Sequence, residues 1–258
     1  MRGNVISALG LLALTACSGQ SGSDSPASDA ASDAAAAMSD AAPALTPVPV
    51  RADLARCERY KIEEGEMERQ RTKPLAFPAA FKDIVATDRD HVAVATLDGG
   101  TVCIDARWQD SIHHTALSKD GRLLGYGWDG YEAFGYQLID RAGKGQVIET
   151  GTAPLSSPSG RRLASIDWSE SGFGGLNGFG VWEVQPGTVK RLALISDNLP
   201  PGDWRLLEWS GENCVGLTLL PIDAVPNEDG SLSRVPRDFW FASAANHWKP
   251  EAGTCPKK

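Results

Sequence analysis

Beyond residue 80 the chain is written as short runs of alternating apolar and polar residues broken by glycine-bearing turns, and this pattern limits its fold more than any other feature. A side-chain period of two belongs to a strand with one face buried, whereas a helix needs apolar residues three and four apart. His91 to Thr96 and Thr101 to Ala106 flank Asp98-Gly99-Gly100, which predicts a hairpin. Leu123 to Trp128 and Tyr136 to Asp140 flank Asp129-Gly130 in the same way, and a further strand is predicted from Gln146 to Thr150. The highly charged segment from Asp53 to Arg71 is the exception and is read as a surface helix. The expected class is all-β.

The pattern also repeats. Leu117-Ser-Lys-Asp-Gly-Arg-Leu-Leu124 is echoed by Leu155-Ser-Ser-Pro-Ser-Gly-Arg-Arg-Leu163, and Phe134-Gly-Tyr-Gln-Leu-Ile139 by Phe179-Gly-Val-Trp-Glu-Val184. Each echo lies about 40 to 45 residues on, the length of a four-stranded unit. The turn followed by a strand resembles the Ser-Pro-Asp-Gly turns of TolB-like and WD40-like β-propellers. That resemblance covers two clear units and two degenerate ones, around Ala86 to Trp108 and Leu206 to Trp248, and it implies about four antiparallel blades. A β-sandwich of long hairpins is the alternative. Trp128, Trp168, Trp209 and Trp248 recur at near 40-residue intervals, but Trp128 and Trp168 follow glycine turns whereas Trp209 precedes Ser210-Gly211, so the spacing is not in phase.

Ahead of this domain stands a different kind of chain. Arg2 is followed by an apolar run from Val5 to Leu14, about 10 residues where a membrane-spanning helix needs about 20. The run ends in Leu14-Thr15-Ala16-Cys17, which resembles the lipobox of bacterial lipoproteins. The resemblance implies a signal peptide over residues 1–16, cleavage before Cys17, and acyl chains on that cysteine's sulfur and amine. Several chains together, at about 0.8 kcal/mol per buried methylene, hold a protein on a bilayer. Ser18 rather than Asp follows, which in the proteobacterial sorting rule implies the periplasmic face of the outer membrane in a Gram-negative host. Residues 17–50 then reduce to Ala, Ser, Asp, Gly and Pro with scattered apolar residues, no aromatic and no basic side chain, and read as a disordered tether. Residues 51–258 remain as one β-rich globular domain.

Without the signal and the tether the chain carries 24 basic residues against 29 acidic ones. An acidic domain is a poor match for nucleic acid or for anionic wall and lipopolysaccharide polymers, and a better one for a basic partner protein. Four cysteines remain: Cys57, Cys103, Cys214 and Cys255. An even number in an exported chain predicts two disulfides, with three possible pairings. Cys57 with Cys103 and Cys214 with Cys255 are favoured because each pair closes the shorter loop.

Few motifs suggest chemistry. Gly125-Tyr-Gly127-Trp-Asp-Gly130 matches a dinucleotide-loop pattern in letters, but a strand rather than a helix follows it, so it reads as hairpin. His113-His114 in a polar loop has no third ligand at metal spacing. Asn227-Glu-Asp229-Gly230 would need ligands where Val225 and Pro236 stand, so it reads as a turn rather than a calcium loop. No nucleophile elbow or zinc-protease motif is present, and no cofactor or metal is expected. The glycine-rich stretch Gly172 to Gly180, with Phe173, Leu176 and Phe179, is the leading interface candidate, together with Trp128 and Tyr131 at the Asp129-Gly130 hairpin.

Two function classes follow. One is a non-enzymatic module that binds another envelope or secreted protein, as an inhibitor or immunity protein against an envelope-targeting toxin or as an outer-membrane assembly factor. The other is a carboxylate-based hydrolase or lyase of wall or sugar substrates, for which the sequence names no acid and base pair.

Overall fold

The echoed serines fold identical turns. Ser118 and Ser157 each accept on Oγ the N–H five residues on, at 2.8 Å from Leu123 and 3.1 Å from Arg162, while Gly121 and Gly160 each donate N–H to the serine carbonyl at 2.8 Å. Both glycines sit at φ near +70°, which a side chain would strain. The computed structural model describes residues 51–59, 72–168, 174–227, 229, 231–243 and 247–255. Around these turns it places an all-β arrangement of antiparallel sheets.

The first sheet holds β1 (Val85–Thr87), β2 (His91–Ala95) and β3 (Thr101–Asp105) in that order. The second holds β4 (Ser111–Leu117), β5 (Leu123–Gly130), β6 (Ala133–Asp140) and β7 (Gln146–Glu149). The third is made of β8 (Leu155–Ser156), β9 (Arg162–Asp167), β10 (Gly178–Gln185) and β11 (Thr188–Ile195). In the fourth, β12 (Gly202–Ser210) and β13 (Cys214–Pro221) are followed by the small hairpin β14 (Val225–Pro226) and β15 (Leu232–Ser233) before β16 (Arg237–Ala242) and β17 (Glu251–Ala252) complete the sheet. The second, third and fourth sheets share one strand order and direction. Their turns therefore gather at two opposite ends: 118–121, 141–145, 157–160 and 211–213 at one, and 106–110, 131–132, 150–154, 174–177 and 222–236 at the other.

Apolar side chains from neighbouring sheets interdigitate pairwise. Val92, Val94, Leu124 and Tyr126 fill the space between the first and second sheets, Leu138, Ile148, Leu163 and Trp182 that between the second and third, and Phe179, Val181, Leu217 and Phe241 that between the third and fourth. Phe179 and Phe241 stack at 4.0 Å between ring centroids. Burying each large side chain stabilises the fold by about 1.5–3 kcal/mol.

Arginines clasp consecutive sheets at the serine-turn end. Arg141 donates to Ala95 O at 2.6 Å, joining the second sheet to the first. Arg122 forms a forked pair with Asp140 (2.7 and 2.8 Å) and donates to Gln185 O at 2.7 Å, joining the second to the third. Arg162 reaches Glu212 O at 2.7 Å and joins the third to the fourth. Guanidinium suits this task, having five donors in a rigid fork that carbonyls and a carboxylate can share.

Both disulfides follow the pairing that loop length favours. Cys57 is bonded to Cys103 on β3, and Cys214 at the start of β13 to Cys255. Several sequence expectations change. Of the segment Asp53 to Arg71, expected as a surface helix, the described residues 53–59 hold a 3-10 turn, Leu54–Arg56, capped by the Asp53 carboxylate, and residues 60–71 lie outside the described ones. The Asp129-Gly130 pair is not a turn: β5 runs on through it, and the chain reverses at Tyr131-Glu132, where Glu132 takes a φ of 54°. Cross-strand pairing extends the hairpin because Asp129 and Phe134 keep their register. His113 and His114 belong to β4, with His114 at φ 47° in a bulge, rather than to a loop. Gly125 and Gly127 are strand residues against which the Tyr136 and His113 rings lie, so the dinucleotide pattern is accidental. Of the Asn227 segment, the described Asn227 and Asp229 lie between β14 and β15, where Asn227 N–H donates to Ser231 O, which fits the turn reading.

Candidate functional site: an aromatic rim and a buried carboxylate pair

Two features meet at the end of the sheets opposite the arginine clasps. The first lies on the β5–β6 hairpin and the β3–β4 connection. Asp110 N–H donates to Asp129 O at 2.7 Å, and Ser111 Oγ donates to the Asp129 carboxylate at 3.2 Å, which lays the connection alongside the hairpin. Gly130 admits this approach, since a Cβ there would strike the Trp108 carbonyl. The hairpin and the connection together expose three aromatic residues, here called the aromatic row: Trp108 at 66%, Tyr131 at 67% and Phe134 at 44% of full exposure. Aromatic side chains exposed to this extent and grouped are an interaction feature rather than a packing one. Asp110, Asp129 and Glu132 edge the row with charge.

The second feature is beneath it. Glu149 at the end of β7 and Asp167 at the end of β9 point inward between the second and third sheets. Glu149 Oε1 accepts the Tyr136 N–H at 3.1 Å, and Oε2 accepts the Gln137 amide. Asp167 Oδ2 accepts the Leu176 N–H at 3.3 Å. Glycines make the room: a Cβ on Gly135 or Gly175 would collide with Glu149, and one on Gly151 or Gly174 with Asp167. Gly174 and Gly175 thus bring backbone against the two carboxyl groups, and Gly174 also bridges Phe134 of the aromatic row.

Burial pushes the Glu149 carboxyl up to about 7, with the Asp167 charge adding to the shift against the pull of backbone N–H groups. Burial also raises Asp167, opposed by the N–H groups of Leu176 and Gly175. The surroundings can serve a protonated Glu149. Gln137 Oε1 is buried without a hydrogen-bond partner among the described residues, and rotating that amide turns its oxygen toward the Glu149 proton. The indole Nε1 of Trp128 is likewise buried and unpartnered.

A pH dependence follows. The folded chain keeps a proton on Glu149 where the unfolded chain has released it, so folding takes up a proton between about pH 4.5 and 7. Stability is therefore expected to fall as pH rises across that window, by on the order of 2 kcal/mol after screening. Glu149→Gln, which resembles the protonated form, should flatten this slope and melt higher than wild type at pH 8. Thermal unfolding followed from pH 4.5 to 8.5 checks both; identical profiles for the two proteins would remove Glu149 as the cause.

The structure sorts the sequence candidates. Tyr131 is at the exposed hairpin tip, Trp128 is half-buried on the opposite face of β5, and Leu176 is half-buried against the core between the second and third sheets. Phe179 is fully buried against Phe241, so it is a core residue and not an interface one; the sheet continues across its position and covers it. Phe173 lies outside the described residues. Trp108, Phe134, Glu149 and Asp167 had not been singled out. Trp108 alone had a local signal, an aromatic in the short polar stretch Arg107 to Asp110 after a strand. Among the described residues no group of three or more His, Cys, Asp and Glu side chains could hold a metal ion, and no helix is long and apolar enough to cross a membrane.

No family model matches this chain, and no curated protein matches it. Among solved structures, the crystal structure of TolB from Acinetobacter baumannii is weakly similar, with a TM-score of 0.31 and 16% identity over 62% of this chain. The match takes in 37% of that protein, so the chain spans little more than a third of the length of the structure it resembles.

Proposed function

We propose that this chain is an acylated envelope lipoprotein whose β domain binds another envelope or secreted protein, in the manner of an inhibitor or immunity protein that neutralises an envelope-targeting toxin. One observation carries the reading: three exposed aromatics, edged by carboxylates, on one hairpin and its adjoining connection at the end of the β scaffold opposite the arginine clasps. Rigid aromatic anchors supply contact area at low entropic cost, and complementary charge speeds encounter. Affinity capture from envelope extract with the mature protein should return a stoichiometric protein partner, and its absence would argue for the alternatives.

The domain is read as a propeller-like arc of about four units. Support comes from the common strand order of three sheets, the matched serine turns and the arginine clasps between neighbours. A β-sandwich would instead pack two large sheets face to face.

Membrane attachment is assigned to Cys17, at the periplasmic face of the outer membrane in a Gram-negative host. Mass spectrometry of the mature N-terminus is expected to find a lipid-modified cysteine. Cys17→Ser should move most of the protein from the membrane to the soluble fraction, and unchanged fractionation would overturn the anchor.

A second reading keeps a specific observation behind it. Glu149, held near neutrality beside Asp167, has the ionisation a general acid requires, so a hydrolase or lyase of wall or sugar substrates is retained. Turnover of purified wall or oligosaccharide that Glu149→Gln abolishes would favour it over binding. The assembly-factor version shares the binding surface and differs in partner.

A further inference from the structure

We infer that the aromatic row of Trp108, Tyr131 and Phe134 is a recognition rim for a lysine- or arginine-bearing segment of a partner polypeptide. The inference rests on the protein-binding reading above and names the chemistry of its partner. Three observations specify it.

The aromatic faces are available. Trp108 and Tyr131 are each about two-thirds exposed, and the backbone beneath them is fixed by the Asp110 to Asp129 hydrogen bond and the strand pairing of Asp129 with Phe134. Cations are attracted to the face of such rings, most strongly to tryptophan.

The charge is complementary. Across residues 106–111 and 128–134 the acids are Asp110, Asp129 and Glu132, all exposed, and the single base is Arg107. The Arg107 guanidinium is turned back on Asp105 by bonds of 3.0 and 2.8 Å and is mostly covered. Asp129 also faces His113, 3.3 Å away, and the Asp129 side chain stays exposed. An aromatic flanked by carboxylates and with no free cation of its own discriminates for an incoming guanidinium or ammonium group and against anionic lipid or polymer.

The two ends differ in the balance of charge. The turns at the opposite end and the residues beside them carry Lys119, Arg122, Arg141, Lys144, Arg161 and Arg162 against Asp120, Asp140 and Glu212. A cationic partner is steered to one pole of the molecule, and that pole holds the aromatic row.

The test uses nuclear magnetic resonance on the isotope-labelled full chain, with hexa-arginine and hexa-glutamate peptides as probes. Hexa-arginine is expected to shift the Trp108 indole N–H together with amides in 107–111 and 129–134, and hexa-glutamate to leave them in place. Trp108→Ala/Tyr131→Ala should weaken hexa-arginine about tenfold while leaving the other resonances in register. Asp129→Asn/Glu132→Gln should weaken it and reduce the salt dependence. Shifts spread evenly over all acidic residues, or unchanged affinity in the aromatic double variant, would overturn the rim. So would shifts at the rim that depend on protein concentration without peptide, which would mark a second copy as its occupant. Failure of the parent reading looks different: hexa-arginine would bind at the rim while envelope extract yields no protein. A protein captured equally well by wild type and the aromatic double variant would instead overturn the rim and leave that reading standing.

Discussion

Replacing Arg122 with alanine is expected to destabilise the domain by about 3–5 kcal/mol, more than a typical surface change. Asp140, its partner, is fully buried, and Arg122 itself is largely covered. The carboxylate lifts the arginine above its ordinary value through the forked hydrogen bond, a sign of how strongly the pair favours charge. With the guanidinium removed, Asp140 keeps the Ala142 N–H at 3.1 Å as its remaining bond and becomes a buried charge without a counter-charge. Gln185 O and Thr188 O on the third sheet lose the guanidinium as a donor at the same time, so the loss falls on the joint between two sheets. Urea unfolding should show a lower midpoint. Pairing Arg122→Met with Asp140→Leu should recover much of the loss, because the uncompensated charge goes as well. A single variant as stable as wild type would show that the clasp is not a structural joint.

Phe179→Ala should cost about 3–5 kcal/mol, whereas Phe134→Ala should cost less than about 1 kcal/mol. Both residues are the second position of the third strand in their repeats, each followed by glycine. Phe179 is wholly buried and stacks on Phe241, and its removal opens a cavity between two sheets. Phe134 meets the Gly174 backbone and stays 44% exposed. Denaturant midpoints for the two variants check the contrast, and equal losses would contradict the assigned burial.

That contrast shows where a sequence stops informing. Phe134 and Phe179 are written alike, and nothing local separates them; what differs is the neighbour, a side chain of the fourth sheet in one case and a glycine backbone in the other. The same limit applies to the carboxyl groups. Glu149 and Asp167 end strands of two different sheets, and only the approach of those sheets buries them together. Asp129-Gly130 misled for a related reason: dipeptide preference predicts a turn, but cross-strand pairing of Asp129 with Ser111 and Phe134 carries the strand through it.

Local physics was written plainly in the chain. Alternation with period two allows only strands with one buried face, glycines at 121 and 160 supply the positive φ that the serine turns require, and cysteine spacing selects the pairings that close the shorter loops. The tertiary structure decided which aromatic is core and which is rim, which carboxyls lose water, and which arginines bind neighbouring sheets together. Those properties depend on what stands across the gap from each side chain, and distance through space is not encoded by the residues on either side of it.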